Sequence, residues 1–192
     1  MTSKLGRKGR IALVVLAIFA AQLGAWYAYR HVEGQRAAQG DVTGLVYDRV
    51  EGGARGLDAP LQSSDGKPVT LRSRIGEPLL VHFWATWCGP CRAELPKFVQ
   101  LARERRIRVL LVSVDEGWPV VRLFFDGNVP ADVVLDQGGA TSRLFGVSTL
   151  PDTYLLARDG RPTVRFHGPR DWSQPNVQKE LDGLLTEAGR IE

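Results

Sequence analysis

The sequence is poor in the residues that staple a small domain or hold a metal centre, with two cysteines, one methionine and three histidines in 192 residues. Cys88 and Cys91 stand three positions apart, so no long loop is closed by a disulfide and the fold must be held by its core. A four-ligand zinc site needs two more donors, and none of His31, His82 and His167 is at ligand spacing. Copper handling draws on thioethers, and Met1 is the only one. An excess of one charge is also missing once its location is considered. The formal charge is +4, but Lys4, Arg7, Lys8, Arg10 and Arg30 flank the first apolar run, and setting them aside leaves 20 of the 25 basic residues against 21 acidic ones. No basic face for nucleic acid is implied, and the chain has no internal repeat.

What is present describes a folded protein. Apolar residues make up 44% and charged residues 24%, values of a globular chain. The length allows one domain with a hydrophobic core plus roughly forty to fifty further residues.

Those further residues are at the N-terminus. Residues 11–29 are nearly all apolar, interrupted by Gln22 and Gly24, which is about the ~20 residues a bilayer requires. The basic residues before the run keep positions 1–10 cytoplasmic and send the chain after Arg30 across the bacterial inner membrane. A cleaved signal peptide is the competing reading, with small residues at 20–25. The cluster Trp26, Tyr27 and Tyr29 favours a retained anchor over 11–30, its aromatics in the far interface. On either reading the main domain is extracytoplasmic, in the periplasm. Residues 31–56 carry six glycines among charged residues and read as a flexible tether, with the folded domain over 57–192.

Within that domain, a hairpin is expected around a turn at 64–67, then a buried strand at 79–84 broken only by His82. A helix should begin near Cys88-Gly89-Pro90 and continue through Leu95, Phe98, Val99 and Leu101. Further strands are expected at 108–115, 132–136, 153–157 and 163–167, and helices at 118–126, 140–145 and 173–188. Strands alternating with helices and a closing hairpin predict an α/β sandwich around a mixed sheet.

The chemistry concentrates at Trp84-Ala85-Thr86-Trp87-Cys88-Gly89-Pro90-Cys91, where a Cys-x-x-Cys lies between a buried strand and a helix. At a helix N-terminus the unpaired N–H groups and the dipole favour an anion, and a thiolate is one. Lowering a thiol from about 8.5 toward neutrality yields an ionised nucleophile at ambient pH. Cys88 is therefore the expected attacking cysteine, and Cys91, one turn further in, the resolving thiol.

The segment from Val81 to Pro96 resembles the active-site region of the thioredoxin superfamily, in particular its membrane-anchored TlpA/ResA branch. Ala59-Pro60, Gly66-Lys67-Pro68, Phe145-Gly146-Val147, Leu150-Pro151-Asp152-Thr153 and Asp159-Gly160 follow in the family's order, so the likeness covers about 57–188. It implies a thioredoxin-like three-layer sandwich, with 118–136 matching the insertion of this branch. It also implies a cis bond before Pro151, with Leu150 pairing with an extended substrate beside Trp87, Gly89 and Pro90. In the ResA-like branch a glutamate at the place of Glu94 takes part in proton handling. An exposed helix glutamate near Lys97 is the equally weighted alternative. Pro96 should kink the helix. His82 departs from the family, where aspartate or asparagine is usual, and reads first as a hydrogen-bonded core residue.

The function implied is a thiol:disulfide oxidoreductase that needs no cofactor beyond its Cys88–Cys91 disulfide. The Gly-Pro dipeptide favours reduction of disulfides in exported proteins, such as apocytochrome c or metal-site cysteines. By resemblance the electrons come from a DsbD- or CcdA-type membrane donor. A disulfide oxidase and a non-catalytic client-binding or chaperone module are the alternatives. A peroxidase fits less well, because Val81 and Ala85 depart from the peroxiredoxin pattern. Thr149 to Thr153 lacks the Gly-Ala-Pro-Glu-Thr stretch usual in the CcmG branch, though cytochrome c clients remain compatible.

Overall fold

The computed structural model describes residues 20–26, 46–52 and 55–190. Residues 20–26 are helical, and among the described residues no helix is long and apolar enough to cross a membrane. The expected cytoplasmic segment 1–10, most of the expected anchor 11–30 and the first part of the tether lie outside the described residues.

The folded unit is described from residue 46. Its strands are β1 (Asp48–Arg49), β2 (Leu61–Ser63), β3 (Pro68–Val69), β4 (Leu79–Trp84), β5 (Arg108–Ser113), β6 (Val133–Leu135), β7 (Asp152–Leu156) and β8 (Pro162–His167). Its α-helices are α1 (Gly89–Arg105), α2 (Trp118–Phe124), α3 (Ala140–Leu144) and α4 (Pro175–Ala188). The strands form one mixed sheet in the order β1-β8-β7-β4-β5-β6-β2-β3. β4, β5 and β6 are parallel, and the outer strands on both sides run antiparallel to their neighbours. Parallel neighbours require crossovers, and α1 and α2 supply them.

β4 lies centrally, paired with β5 and β7, and all six of its residues are buried. A strand covered on both faces reads as a continuous apolar run, which is why Leu79–Trp84 was visible in the sequence. Alternation divides it. Leu80 and Trp84 join Leu95, Phe98, Val121, Leu181 and Leu184 in a core under α1, α2 and α4. Leu79, Val81 and Phe83 join Leu57, Leu61, Leu71 and Phe145 in a second core on the other face. Helices on one face, sheet, and the 57–74 and α3 segments on the other make the three layers.

One boundary differs from the expectation. The tether drawn to residue 56 ends earlier, because Asp48 and Arg49 pair with Arg165 and Val164 of β8, and Val50 N–H donates to the Thr163 carbonyl at 3.0 Å. Tyr47 meets Phe166 edge-on, and Arg49 forms a bidentate pair with Glu187. A two-residue edge strand carries no periodicity, so glycine-rich composition concealed it.

Candidate active site

The site lies beyond the carboxyl end of β4, where an open α/β sheet leaves space for chemistry. The chain leaves Trp84, passes through Ala85, Thr86 and Trp87, and enters α1 at Cys88. Cys88 is the N-cap, with extended backbone, and Pro90 falls in the first turn, where its missing N–H costs nothing. The Cys91 N–H donates to Cys88 Sγ at 3.2 Å, so the sulfur takes the place of a capping oxygen. Cys88 and Cys91 are joined in a disulfide. Cys91 is fully buried while Cys88 keeps 6% of its surface, and Trp87 beside it is 70% exposed. Pro96 lies inside α1, and the helix continues through it to Arg105.

The loop before Cys88 is anchored by a residue the sequence did not single out. Asp115, buried just past β5, accepts from the Thr86 N–H at 3.0 Å, the Thr86 hydroxyl at 2.7 Å and the Ser113 hydroxyl at 2.8 Å. Parallel pairing of Trp84 with Ser113 brings these groups together from 29 positions apart. An acid at a strand end resembles any loop residue, so only the register reveals it. Trp84 packs against Phe124 and Phe125, and the Arg92 guanidinium sits over Phe124, which places the end of α2 at the rim of the site.

The Leu150–Pro151 peptide bond is cis. β7 starts at Asp152 opposite Phe83 of β4, so Pro151 lies at the same end of the sheet as the cysteines. The Pro151 carbonyl accepts from Gly168 N–H at 3.0 Å, whereas the Leu150 backbone makes no hydrogen bond among the described residues. Asp152 is fully buried and paired with Arg165, whose Nη2 also donates to the Gly146 carbonyl at 2.9 Å. Burial raises the Asp152 carboxyl while the Arg165 guanidinium opposes that rise.

Glu94 is only 4% exposed, and Lys97 pairs with Asp171 at 3.0 Å, so the alternative of a surface glutamate near Lys97 does not hold. The segment after β8 covers it: the Arg170 N–H donates to Glu94 Oε2 at 2.6 Å. The Trp172 indole N–H also faces this carboxylate and lowers its pKa without completing a hydrogen bond. Burial outweighs both and pushes Glu94 up to about 7. His82, wholly buried, stacks on Phe98 at 4.7 Å, and its Nδ1 is 2.8 Å from Thr153 Oγ1. Burial depresses its pKa to about 3, so the ring is neutral.

A cysteine pair at a helix N-terminus, with a carboxyl raised toward neutrality one turn along, is equipped to exchange disulfides and move a proton. The comparisons with known proteins agree. The Redoxin family model matches residues 41–181. The thiol-disulfide oxidoreductase ResA of Bacillus thuringiensis subsp. konkukian is 29% identical over 128 residues, covering 62% of this chain and 73% of that one. The thiol:disulfide interchange protein DsbE of Xylella fastidiosa (strain 9a5c) is 28% identical over 136 residues, with 70% and 68% covered. Among solved structures, a Chlorobium tepidum protein assigned as thiol:disulfide interchange protein DsbE superposes with a TM-score of 0.60 at 29% identity, covering 72% of this chain and 98% of that one.

Proposed function

The chain belongs to the Redoxin family, as a TlpA/ResA-like thiol:disulfide oxidoreductase of the thioredoxin superfamily working by dithiol–disulfide exchange, and from this premise we propose that it reduces disulfides of exported proteins. The observation that carries the reading is the Cys88–Cys91 disulfide at the head of α1, with Cys88 keeping 6% of its surface and Cys91 fully buried.

The cycle starts from the reduced pair. The Cys88 thiolate, favoured by the helix N-terminus, attacks a sulfur of the client disulfide; a mixed disulfide forms and the client's other sulfur leaves as a thiolate. Cys91 then gives its proton to the Glu94 carboxylate and attacks Cys88 Sγ, releasing the client reduced and closing the Cys88–Cys91 disulfide. A carboxyl near 7 suits this transfer, because it is substantially ionised at neutral pH yet basic enough to accept. Leu150, whose backbone makes no hydrogen bond among the described residues, pairs on this reading with an extended client segment, and Pro151, exposed Trp87, Gly89 and Pro90 complete the docking surface.

The N-terminal apolar run supports a single-pass anchor in the cytoplasmic membrane with the catalytic domain in the periplasm. Regeneration takes two electrons from a DsbD- or CcdA-type membrane dithiol. The clients on this reading are apocytochrome c or proteins with metal-site cysteines. A Cys88/Cys91 potential near or below about −270 mV is the expected result; one near about −120 mV makes the protein an oxidase instead. Insulin reduction should be present in the parent and lost in Cys88→Ser, and an inactive parent would favour a client-binding module.

A further inference from the structure

Two buried polar atoms face each other in the core under α1, and neither has a hydrogen-bond partner among the described residues. They are His82 Nε2 and Glu94 Oε1, 3.6 Å apart, just beyond hydrogen-bonding distance. Buried polar groups are rarely left unmatched, and two unmatched atoms pointing at one another are half of an interaction each.

The polarity of that interaction follows from the other side of the ring. His82 Nδ1 lies 2.8 Å from Thr153 Oγ1, and no second partner for this enclosed hydroxyl exists among the described residues. If the hydroxyl only accepted, its own hydrogen would be stranded in the core. The economical arrangement has Thr153 O–H donating to Nδ1. A neutral imidazole carries one hydrogen, which then sits on Nε2 and points at Glu94 Oε1.

We infer that His82 is a positioning residue for Glu94: Thr153 fixes its tautomer so that the Nε2–H faces Oε1 and keeps that carboxylate ready to take the Cys91 proton. This rests on the reductase cycle proposed above. In the step concerned, the Cys91 S–H bond breaks, an O–H bond forms on Glu94, and the sulfur's electron pair goes on to Cys88 Sγ. His82 gains and loses nothing.

The other groups facing Glu94 are the Arg170 N–H and guanidinium and the Trp172 indole from the segment after β8, and all three favour the anion; Cys91 stands three positions earlier on the same helix. Asp152 reaches it only through Arg170, and Lys97 is engaged by Asp171. From the sheet side, the titratable side chain that meets the carboxylate is His82 of β4. Its depressed basicity agrees with a role as N–H donor, not as proton carrier.

The test is nuclear magnetic resonance on the oxidised full chain. Nitrogen-15 spectra of the parent should place the His82 hydrogen on Nε2; a hydrogen on Nδ1 overturns the proposal without any variant. A carbon-13 titration of Glu94 should have its midpoint about one pH unit higher in His82→Phe, since a donor to the anion has been removed. His82→Gln, which keeps an N–H within reach, should return the midpoint toward the parent's. An unchanged or lower midpoint in His82→Phe overturns the proposal. Neither readout needs turnover, so failure of the reductase reading would appear separately, as a parent inactive on insulin.

Discussion

The Asp115 carboxylate accepts hydrogen bonds from both the backbone N–H and the hydroxyl of Thr86, at 3.0 and 2.7 Å, and so ties the loop that ends in Cys88 to the adjoining strand. The reactive sulfur inherits its position from this bond set, because only Trp87 separates Thr86 from Cys88.

Replacing Asp115 by alanine should therefore harm stability and exchange together. It strands the Thr86 N–H and two hydroxyl donors in or near the core, at a cost of about 2–4 kcal/mol. Asp115→Asn, which keeps the shape and one acceptor oxygen, should cost less than half of that. Denaturant midpoints measure the first effect, and the rate of insulin reduction under conditions where both variants are folded measures the second.

Glu94 should make the protein less stable as pH rises. Its folded pKa is about 7 against 4.5 for the free side chain, so between these values the folded state binds more protons than the unfolded one. Stability from this group is fully present below about 4.5 and is lost by about 7, a difference on the order of 3 kcal/mol. Glu94→Gln should abolish that slope and melt higher than the parent at pH 8. His82 has the opposite sign. Its folded pKa is about 3 against 6.5, so its contribution is lost on acidification from about 6.5 to 3, and the two slopes oppose each other between 4.5 and 6.5. Melting curves of the parent, Glu94→Gln and His82→Phe across pH 4–8 check both signs.

The Asp152–Arg165 pair should be worth more broken than absent. Asp152 is completely buried beside Pro151, so Arg165→Met takes away its bidentate partner and leaves only the His167 ring, 3.8 Å away, at a cost of about 3–5 kcal/mol. The double variant Asp152→Asn with Arg165→Met should recover a large part of that loss. Non-additivity in a double-mutant cycle is the readout.

How much of this was legible in the sequence depends on whether the deciding partner was near in the chain. β4 and the start of α1 were readable, because a fully covered central strand is a continuous apolar run and Cys88-Gly89-Pro90-Cys91 supplies both a cap and a first-turn proline. Most other elements end within one or two residues of their expected bounds, the usual uncertainty of helix and strand ends. Glu94 was left between two readings, since its burial is decided by Arg170 and Trp172, more than seventy positions later. Asp115 was missed for a related reason, as its partner Thr86 becomes a neighbour only through the parallel pairing of β4 with β5. His82 was read as a hydrogen-bonded core residue, and the bond to Thr153 of β7 agrees, but no spacing rule could place Glu94 Oε1 before its free nitrogen.

Trp87 separates docking from folding. With 70% of its surface exposed, Trp87→Ala should change stability by no more than about 0.5 kcal/mol. It should raise KM for a protein disulfide while leaving reduction of a small-molecule disulfide nearly unchanged.

The division of labour between the two sulfurs is tested most directly by trapping. Cys91→Ser, in the full chain, should accumulate mixed disulfides through Cys88 that mass spectrometry resolves to client cysteines, while Cys88→Ser should accumulate none. Equal trapping by both variants, or adducts through Cys91 alone, would contradict the assignment of Cys88 as the attacking sulfur and Cys91 as the one that releases the client.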